Sequence, residues 1–385
     1  MKGLPEKIDR DTWQPVVVGD FDKFVADHPE VSIIDRYEDQ IEELFLLRNP
    51  KYRFNTDYKD ELEIFVKDHV NGLGLKDKGN WFFYPWLNNI IHLLPEEMYF
   101  EMRTGRNKNL ITKEEQNSYY NSVVGILGLS VGSHVALTIA MTGGAKHFKI
   151  ADPDTFSGSN LNRVRIGVQS MGLGKAVCSA RMIYEINPYA QIKIYKEGLN
   201  EDNIEDFFSD PKLDILIEEM DNPFLKIKVR YLAKEMRIPT IMGTDNGDNV
   251  LVDIERYDME PDLKILNGLI GDMKVEDLAN FEPQDLPKIA AKIAGADVAT
   301  VRMKQSVLEV GKSIYSWPQL GTAANLCGSS IAYLARRIIN KSDNIKSGRY
   351  EVNLDSIFED DYFSEEKEQY RKKETDEFFK KMNSQ

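Results

Sequence analysis

The sequence predicts a doubly wound α/β fold: a mainly parallel sheet with helices on both faces, a small N-terminal α/β domain and a helical C-terminal region. Three observations predict it. Between residues 121 and 255, short apolar runs alternate with longer helical patterns. A turn of small residues, Gly128 to Ser133, joins one such run to a helix. Polar and charged residues follow the ends of several apolar runs, where an open parallel sheet gathers its ligands.

The elements follow in order. Residues 1 to about 95 hold short mixed elements, including "VSIID" as a strand and the aromatic run "WFFYPW". "SVVGIL" reads as a buried strand, "VGSHVALTIAMT" as a helix stopped by Gly143-Gly144, and "HFKIA" as the next strand. A helix "GKAVCSARMIYEI", a strand "QIKIYK", a helix around "EDNIEDFF" and a strand "LDILIEE" continue the alternation. "NPFLKIKVRYLAKEMR" reads as a helix and "PTIMG" as a strand after Pro239. "GTDNGDN" reads as a hairpin turn, with guidance of a substrate tail as its rival. Residues 260–285 read as irregular, and two or three helices fill 285–341. The charged tail reads as a frayed, solvated helix. The divisions expected are 1–98, an accessory domain; 99–341, a nucleotide-binding domain; and 342–385, a strand and charged helical tail.

Composition narrows the function. With 49 Lys+Arg against 63 Asp+Glu, a net charge of -14 argues against a whole-chain role gripping nucleic acid or an anionic membrane. Two cysteines, Cys178 and Cys327, make neither a Cys-x-x-Cys pair nor a disulfide framework. The N-terminus carries no apolar signal core, and the small and polar residues of 123–145 argue against a membrane span. A soluble, cytoplasmic protein is expected.

Around the turn, backbone N–H groups at a helix N-terminus favour phosphate. A Gly-x-Gly-x-x-Gly template laid from Gly128 meets Ser130 and Ser133 where it wants glycine, with Gly132 between them. Serine serves there if the backbone angles are ordinary. Asp152, at the end of the second strand, suits a ribose hydroxyl, and Asp154 follows it. Then come Asn160 and Arg163 in "SGSNLNRV", Lys175 opening a helix after "GLG", and Asp221-Asn222 past a later strand. Arg163 and Lys175 suit a triphosphate better than a dinucleotide, since attack at the α-phosphate needs fixed cations. Asp221 suits Mg²⁺, which takes a carboxylate and water. Singly, each has a plainer reading: Arg163 and Lys175 as surface charges, Asp221 as a helix N-cap.

Taken in order, the loop Gly128–Ser133, Asp152/Asp154, Ser159–Arg163, Gly172–Lys175 and Asp221-Asn222 resemble the ThiF/MoeB-like superfamily, whose members activate ubiquitin-like and sulfur-carrier proteins. The resemblance implies a Rossmann-like sheet and adenylation, in which ATP and a carboxylate give an acyl adenylate and pyrophosphate. It implies that Asp152 holds the ribose, that Asn160, Arg163 and Lys175 hold the phosphates, and that Asp221 binds Mg²⁺. It also implies an arginine reaching across a homodimer, for which Arg106 fits, with Arg103 as second choice. "WFFYPW", "RTGRNKNLIT", "GLSVGS" and "WPQLGTAAN" resemble a bacterial branch with an extra N-terminal domain. The chain departs from the family in the serines of its loop, in lacking zinc-binding Cys-x-x-Cys pairs, and in having no cysteine where a thioester would form.

The five histidines show no metal-binding spacing, and His134 beside the loop reads as a packing or hydrogen-bonding residue. Trp81, Phe82, Phe83, Tyr84 and Trp86 read as N-terminal core, with a docking or dimer surface as the rival. The reading is an adenylyltransferase without a cysteine relay, acting on a protein or peptide C-terminus or a small acid. Three alternatives stay open: a non-catalytic nucleotide-binding dimeric scaffold, a nicotinamide-dependent oxidoreductase, and an enzyme activating a carboxylate on a modified tRNA nucleoside.

Overall fold

The computed structural model describes residues 11–278 and 286–382. Among the described residues, eleven strands form two sheets. The first four are β1 (Val16–Val18), β2 (Ser32–Asp35), β3 (Asn80–Tyr84) and β4 (Asn89–Leu93), in the order β1-β3-β4-β2. The remainder are β5 (Val123–Leu127), β6 (His147–Ala151), β7 (Gln191–Tyr195), β8 (Ile215–Glu218), β9 (Thr240–Asn246), β10 (Asn249–Glu255) and β11 (Gly348–Val352). They make one seven-stranded sheet in the order β11-β10-β9-β8-β5-β6-β7.

β5 to β9 pair in parallel, while β10 and β11 extend the sheet antiparallel. Every residue of β5 and β8 is buried, as expected where helices cover both faces. Alternate residues of these strands feed two separate cores. Val124, Ile126, Ile215 and Ile217 pack with the helices Gly132–Met141 and Gly321–Ile339. Val123, Leu127 and Leu216 pack with the helix Pro223–Glu235 on the other face. The doubly wound sheet is the one the alternating pattern predicts.

Three expectations need correction. The stretch "GTDNGDN" is mostly strand: Gly243 to Asn246 pair with β10, and the turn is confined to Gly247 and Asp248. Glycine and Asx residues misled there, because hairpin pairing with β10 satisfies their backbone groups regardless of propensity. The aromatic run does more than fill the small sheet's core. Trp81 packs there with Val18, Val31 and Ile90, but Phe82 and Tyr84 join the core of the large sheet. The C-terminal helix Glu365–Met382 is docked: Phe378 is buried and Thr375 accepts from Lys304 at 2.7 Å. Among the described residues no helix is long and apolar enough to cross a membrane.

Candidate functional site

The strand order reverses between β5 and β8, since β6 and β7 lie to one side and β9 to the other. In such a sheet the crevice outside the strand C-termini is the ligand position. The loop leaving β5 enters that crevice at Gly128. Its φ is +82°, and a Cβ there would run into the Glu219 carbonyl oxygen. Ser130, Gly132 and Ser133 have no left-handed φ. The Ser133 hydroxyl donates to the Ser130 carbonyl at 2.8 Å. The serines therefore stand where glycine's conformational freedom is not needed; Gly128 has the loop's left-handed φ, and Gly132 is confined instead by Ile126, 2.9 Å from where its Cβ would be.

Asp152, at the end of β6, is buried and ties the loop to its neighbour. Its Oδ2 accepts from the Leu129 N–H at 2.6 Å and its Oδ1 from the Asp154 N–H at 2.8 Å. Burial raises its pKa, opposed by the Leu129 N–H and by Lys175. Lys175 opens the helix Lys175–Ile186, with Nζ 2.8 Å from Asp154 Oδ2 and 3.7 Å from Asp152 Oδ2. A cleft beside them is lined by Asp152, Asp154, Gly172, Gly174, Ala176 and Lys196.

On the other side of the loop stands Arg163. Its Nε lies 3.4 Å from Ser130 Oγ, and its Nη1 donates to the Ser159 carbonyl at 3.2 Å. Burial lowers its pKa, opposed by the carboxylates of Asp245 and Asp221. Asn160 is turned inward, its Oδ1 accepting from the Ser157 N–H at 2.9 Å. Asp221 is exposed just beyond β8. The N-cap of the following helix is Asn222, not Asp221: Asn222 Oδ1 accepts from the N–H groups of Phe224 and Leu225 at 3.0 and 3.1 Å.

The upstream arginines stand apart from this group. Arg103 is largely buried and donates to the Ala140 carbonyl at the C-terminal end of the Gly132–Met141 helix. Arg106 is exposed in the next turn, beside Asn107, which donates to the Thr142 carbonyl at 3.1 Å. That helix has 10 residues, so at about 1.5 Å per residue its far end lies about 15 Å from the loop. Within one chain neither arginine reaches the Gly128–Ser133 loop.

Several residues of the crevice escaped the sequence reading. Asp245, near the end of β9, is 7% exposed, and burial pushes its carboxyl up to about 6. Gln319 Nε2 donates to its Oδ2 at 3.2 Å, while the Gln319 carbonyl accepts from Asn162 at 2.8 Å. Glu219 Oε1 accepts from the Gly243 N–H at 2.8 Å, and burial raises its pKa. For Asp245 the signal was the polar run "TDN" inside an otherwise apolar hairpin, and for Glu219 the acidic pair that ends the apolar run "LDILIEE". Both cysteines are buried, Cys178 against Phe156, Val164 and Leu173. Burial, and then Glu219 and Asp245, push the Cys327 thiol up. Among the described residues no group of three or more His, Cys, Asp or Glu side chains is placed to hold a metal ion.

Similar proteins are known. The chain is 33% identical over 335 residues to "Uncharacterized protein MT1398" of Mycobacterium tuberculosis (strain CDC 1551 / Oshkosh), a match covering 86% of this chain and 45% of that protein. It is 30% identical over 124 residues to "Adenylyltransferase and sulfurtransferase UBA4" of Candida albicans, covering 32% of this chain and 27% of that one. The chain thus spans less than half the length of either relative. Among solved structures, E. coli TcdA, a tRNA N6-threonylcarbamoyladenosine dehydratase, superposes with a TM-score of 0.45 and 16% identity over 62% of this chain and 94% of its own. E. coli MccB with MccA-N7isoASN gives a TM-score of 0.42 and 19% identity over 62% and 66%. The ThiF family matches residues 104–375, from the turn that bears Arg106 to the docked C-terminal helix. This chain is a member of the ThiF family.

Proposed function

We propose that this chain is an adenylyltransferase that joins ATP to a carboxylate, releasing pyrophosphate. One observation carries the reading: two shielded cations, Arg163 and Lys175, flank the N-terminus of the Gly132–Met141 helix at the crevice of the sheet. A dinucleotide's pyrophosphate is satisfied by the loop and helix terminus, and would leave both cations without work. The carboxylate oxygen attacks the α-phosphorus, an O–P bond forms, and the bond to the β-phosphate oxygen breaks. The nucleophile is already ionised at neutral pH, so the step needs no general base. Lys175 and Arg163 offset charge as it grows on the phosphoryl oxygens. Lys175, held against Asp154 and Asp152, exchanges those carboxylates for ribose and phosphate oxygens. Asp152 accepts from the ribose, with Asn160 and the Gly128–Ser133 amides on the phosphates.

A divalent cation accompanying ATP would take few ligands from this chain, with phosphate oxygens and water supplying the rest. Asp221 offers an exposed carboxylate past β8. Mg²⁺ bound to Asp221 would neutralise phosphate charge and steady the leaving pyrophosphate. No cysteine relay is invoked, because a thiol that is buried and held protonated is a poor nucleophile. Arg106, exposed and distant from its own loop, serves a second copy's ATP in a homodimer. The carboxylate belongs to a protein or peptide C-terminus or to a small acid. A non-catalytic scaffold is disfavoured because the serines leave the loop unstrained.

The test is ATP–pyrophosphate exchange with a panel of carboxylates, comparing wild type with Lys175→Ala and Asp221→Ala. Exchange by wild type and its loss in both variants is expected. A wild type that binds no ATP ends the reading, and unchanged ATP affinity in both variants removes these residues from the site.

A further inference from the structure

The cleft beside Asp152 has one wall from outside the seven-stranded sheet and its helices. Asp11, in the segment ahead of β1, lines it together with Lys196, which directly follows β7. That segment is held in place. Arg181, on the helix Lys175–Ile186, donates from Nε to the Thr12 carbonyl at 2.8 Å. Lys196 Nζ stands 4.9 Å over the Trp13 ring and 3.6 Å from Asp11 Oδ2. A carboxylate and an ammonium therefore stand side by side at the cleft, one from the N-terminal segment and one from the large sheet.

On the adenylation reading, the place of the base follows from that of the ribose and phosphates. The phosphates point to the loop and Arg163, and Asp152 takes the ribose, so the base leads away from the loop into this cleft. Pro153, Leu173 and Val177 line it with apolar surface that suits the faces of a flat ring. The charged pair meets the ring's edge. Adenine offers a donor, its N6 amine, beside an acceptor ring nitrogen, whereas guanine carries the O6 acceptor at the same place. A carboxylate next to an ammonium complements the adenine pattern: Asp11 accepts from the amine, and Lys196 donates to the ring nitrogen. With the ribose fixed, guanine would set O6 against the Asp11 carboxylate, acceptor against acceptor.

We propose that Asp11, held beside Lys196, reads the base of the bound nucleotide and selects adenine over guanine. The inference rests on the adenylation reading. It adds to it that the segment before β1 is part of the nucleotide site and sets its specificity. The Asp11 side chain is 69% exposed and that of Lys196 33%, so the selection is modest and not that of a sealed pocket.

The test uses the full chain, wild type and Asp11→Asn, titrated calorimetrically with ATP, GTP and the triphosphate of purine riboside, which lacks the amine. Wild type is expected to bind ATP about 10-fold more tightly than either analogue, the worth of a hydrogen bond to a charged group. Asp11→Asn, whose amide can donate to O6 as well as accept from an amine, is expected to narrow the ATP-to-GTP ratio to about 3-fold or less. Equal wild-type affinities for ATP and GTP overturn the proposal. So does a rise of both affinities in Asp11→Asn with the ratio kept, because Asp11 then acts only as a negative charge near the phosphates. If wild type binds none of the three nucleotides, the adenylation reading falls and the proposal with it. If it binds ATP and only the Asp11 arm is silent, the proposal alone falls.

Discussion

His134 Nε2 lies 2.6 Å from the main-chain oxygen of Arg163, joining the first turn of the loop helix to the segment that carries Arg163. The ring is buried, and burial lowers its pKa, so it is neutral at pH 7 with its proton on Nε2. Gly321 supports the same segment from the long C-terminal helix, where a Cβ would stand 2.8 Å from the Asn162 carbonyl oxygen. His134→Leu should weaken ATP binding by about 5- to 10-fold, the worth of roughly one hydrogen bond, while His134→Gln, which keeps a donor, should restore most of it. A double-mutant cycle with Arg163→Ala should be non-additive by calorimetry. Additive losses would show that His134 acts elsewhere.

Lys175 and Asp154 form a half-open ion pair, since the Asp154 side chain is 68% exposed. Such pairs contribute about 0–1 kcal/mol to stability. Lys175→Met should therefore leave the melting temperature within a few degrees of wild type, yet lower ATP affinity by about 10-fold or more. A large loss of stability with normal ATP binding would mark Lys175 as structural.

Asp245 should make stability depend on pH in a definite sense. Its folded pKa of about 6 lies above the ordinary 3.8, so the folded chain holds more protons between those values. Stability from this group is complete below the unfolded pKa and is lost as pH rises through the folded one. Asp245→Asn should thus be more stable than wild type at pH 7.5, by about 1–3 kcal/mol. That gain should shrink as pH falls from 6 towards 4. Thermal unfolding across this range measures it.

The buried ions of β8 and β10 should behave differently. Glu218 accepts from Lys226 at 2.8 Å and also from Arg230, which donates to Glu255 at 2.8 Å. Glu218, Arg230 and Glu255 are fully buried. Arg230→Met leaves Glu218 with Lys226 alone and Glu255 with no cation, only the Tyr257 hydroxyl and the Leu266 N–H, and should cost about 3–5 kcal/mol. Denaturant unfolding would report it, and a loss below about 1 kcal/mol would mean that the charges are neutralised by other means.

Gly128→Ala should be severe. The left-handed φ costs about 1–2 kcal/mol for any residue with a Cβ, and the new methyl would strike the Glu219 carbonyl. Ser130→Gly and Ser133→Gly should change ATP affinity little, because neither serine stands at a glycine angle. Calorimetric titration with ATP would separate the three variants.

Local pattern was enough to specify the doubly wound sheet, because period-2 and period-3.6 apolar spacing is read over a few residues and β5 to β9 follow it. The same pattern placed Asp152, Lys175 and Asp221 at strand ends and helix starts, where a parallel sheet gathers its C-termini on one edge. How those groups are neutralised emerged only when the chain was folded. Lys175 answers Asp154, Arg163 is set between the loop and Asp245, and Asn222 takes the capping role read for Asp221. The acids Asp245 and Glu219 stand in quoted stretches, "GTDNGDN" and "LDILIEE", but their burial was not legible there. Their burial depends on β9, β10 and the Gly321–Ile339 helix meeting across long separations in the chain. Burial and charge pairing are properties of that meeting, and no local pattern encodes them.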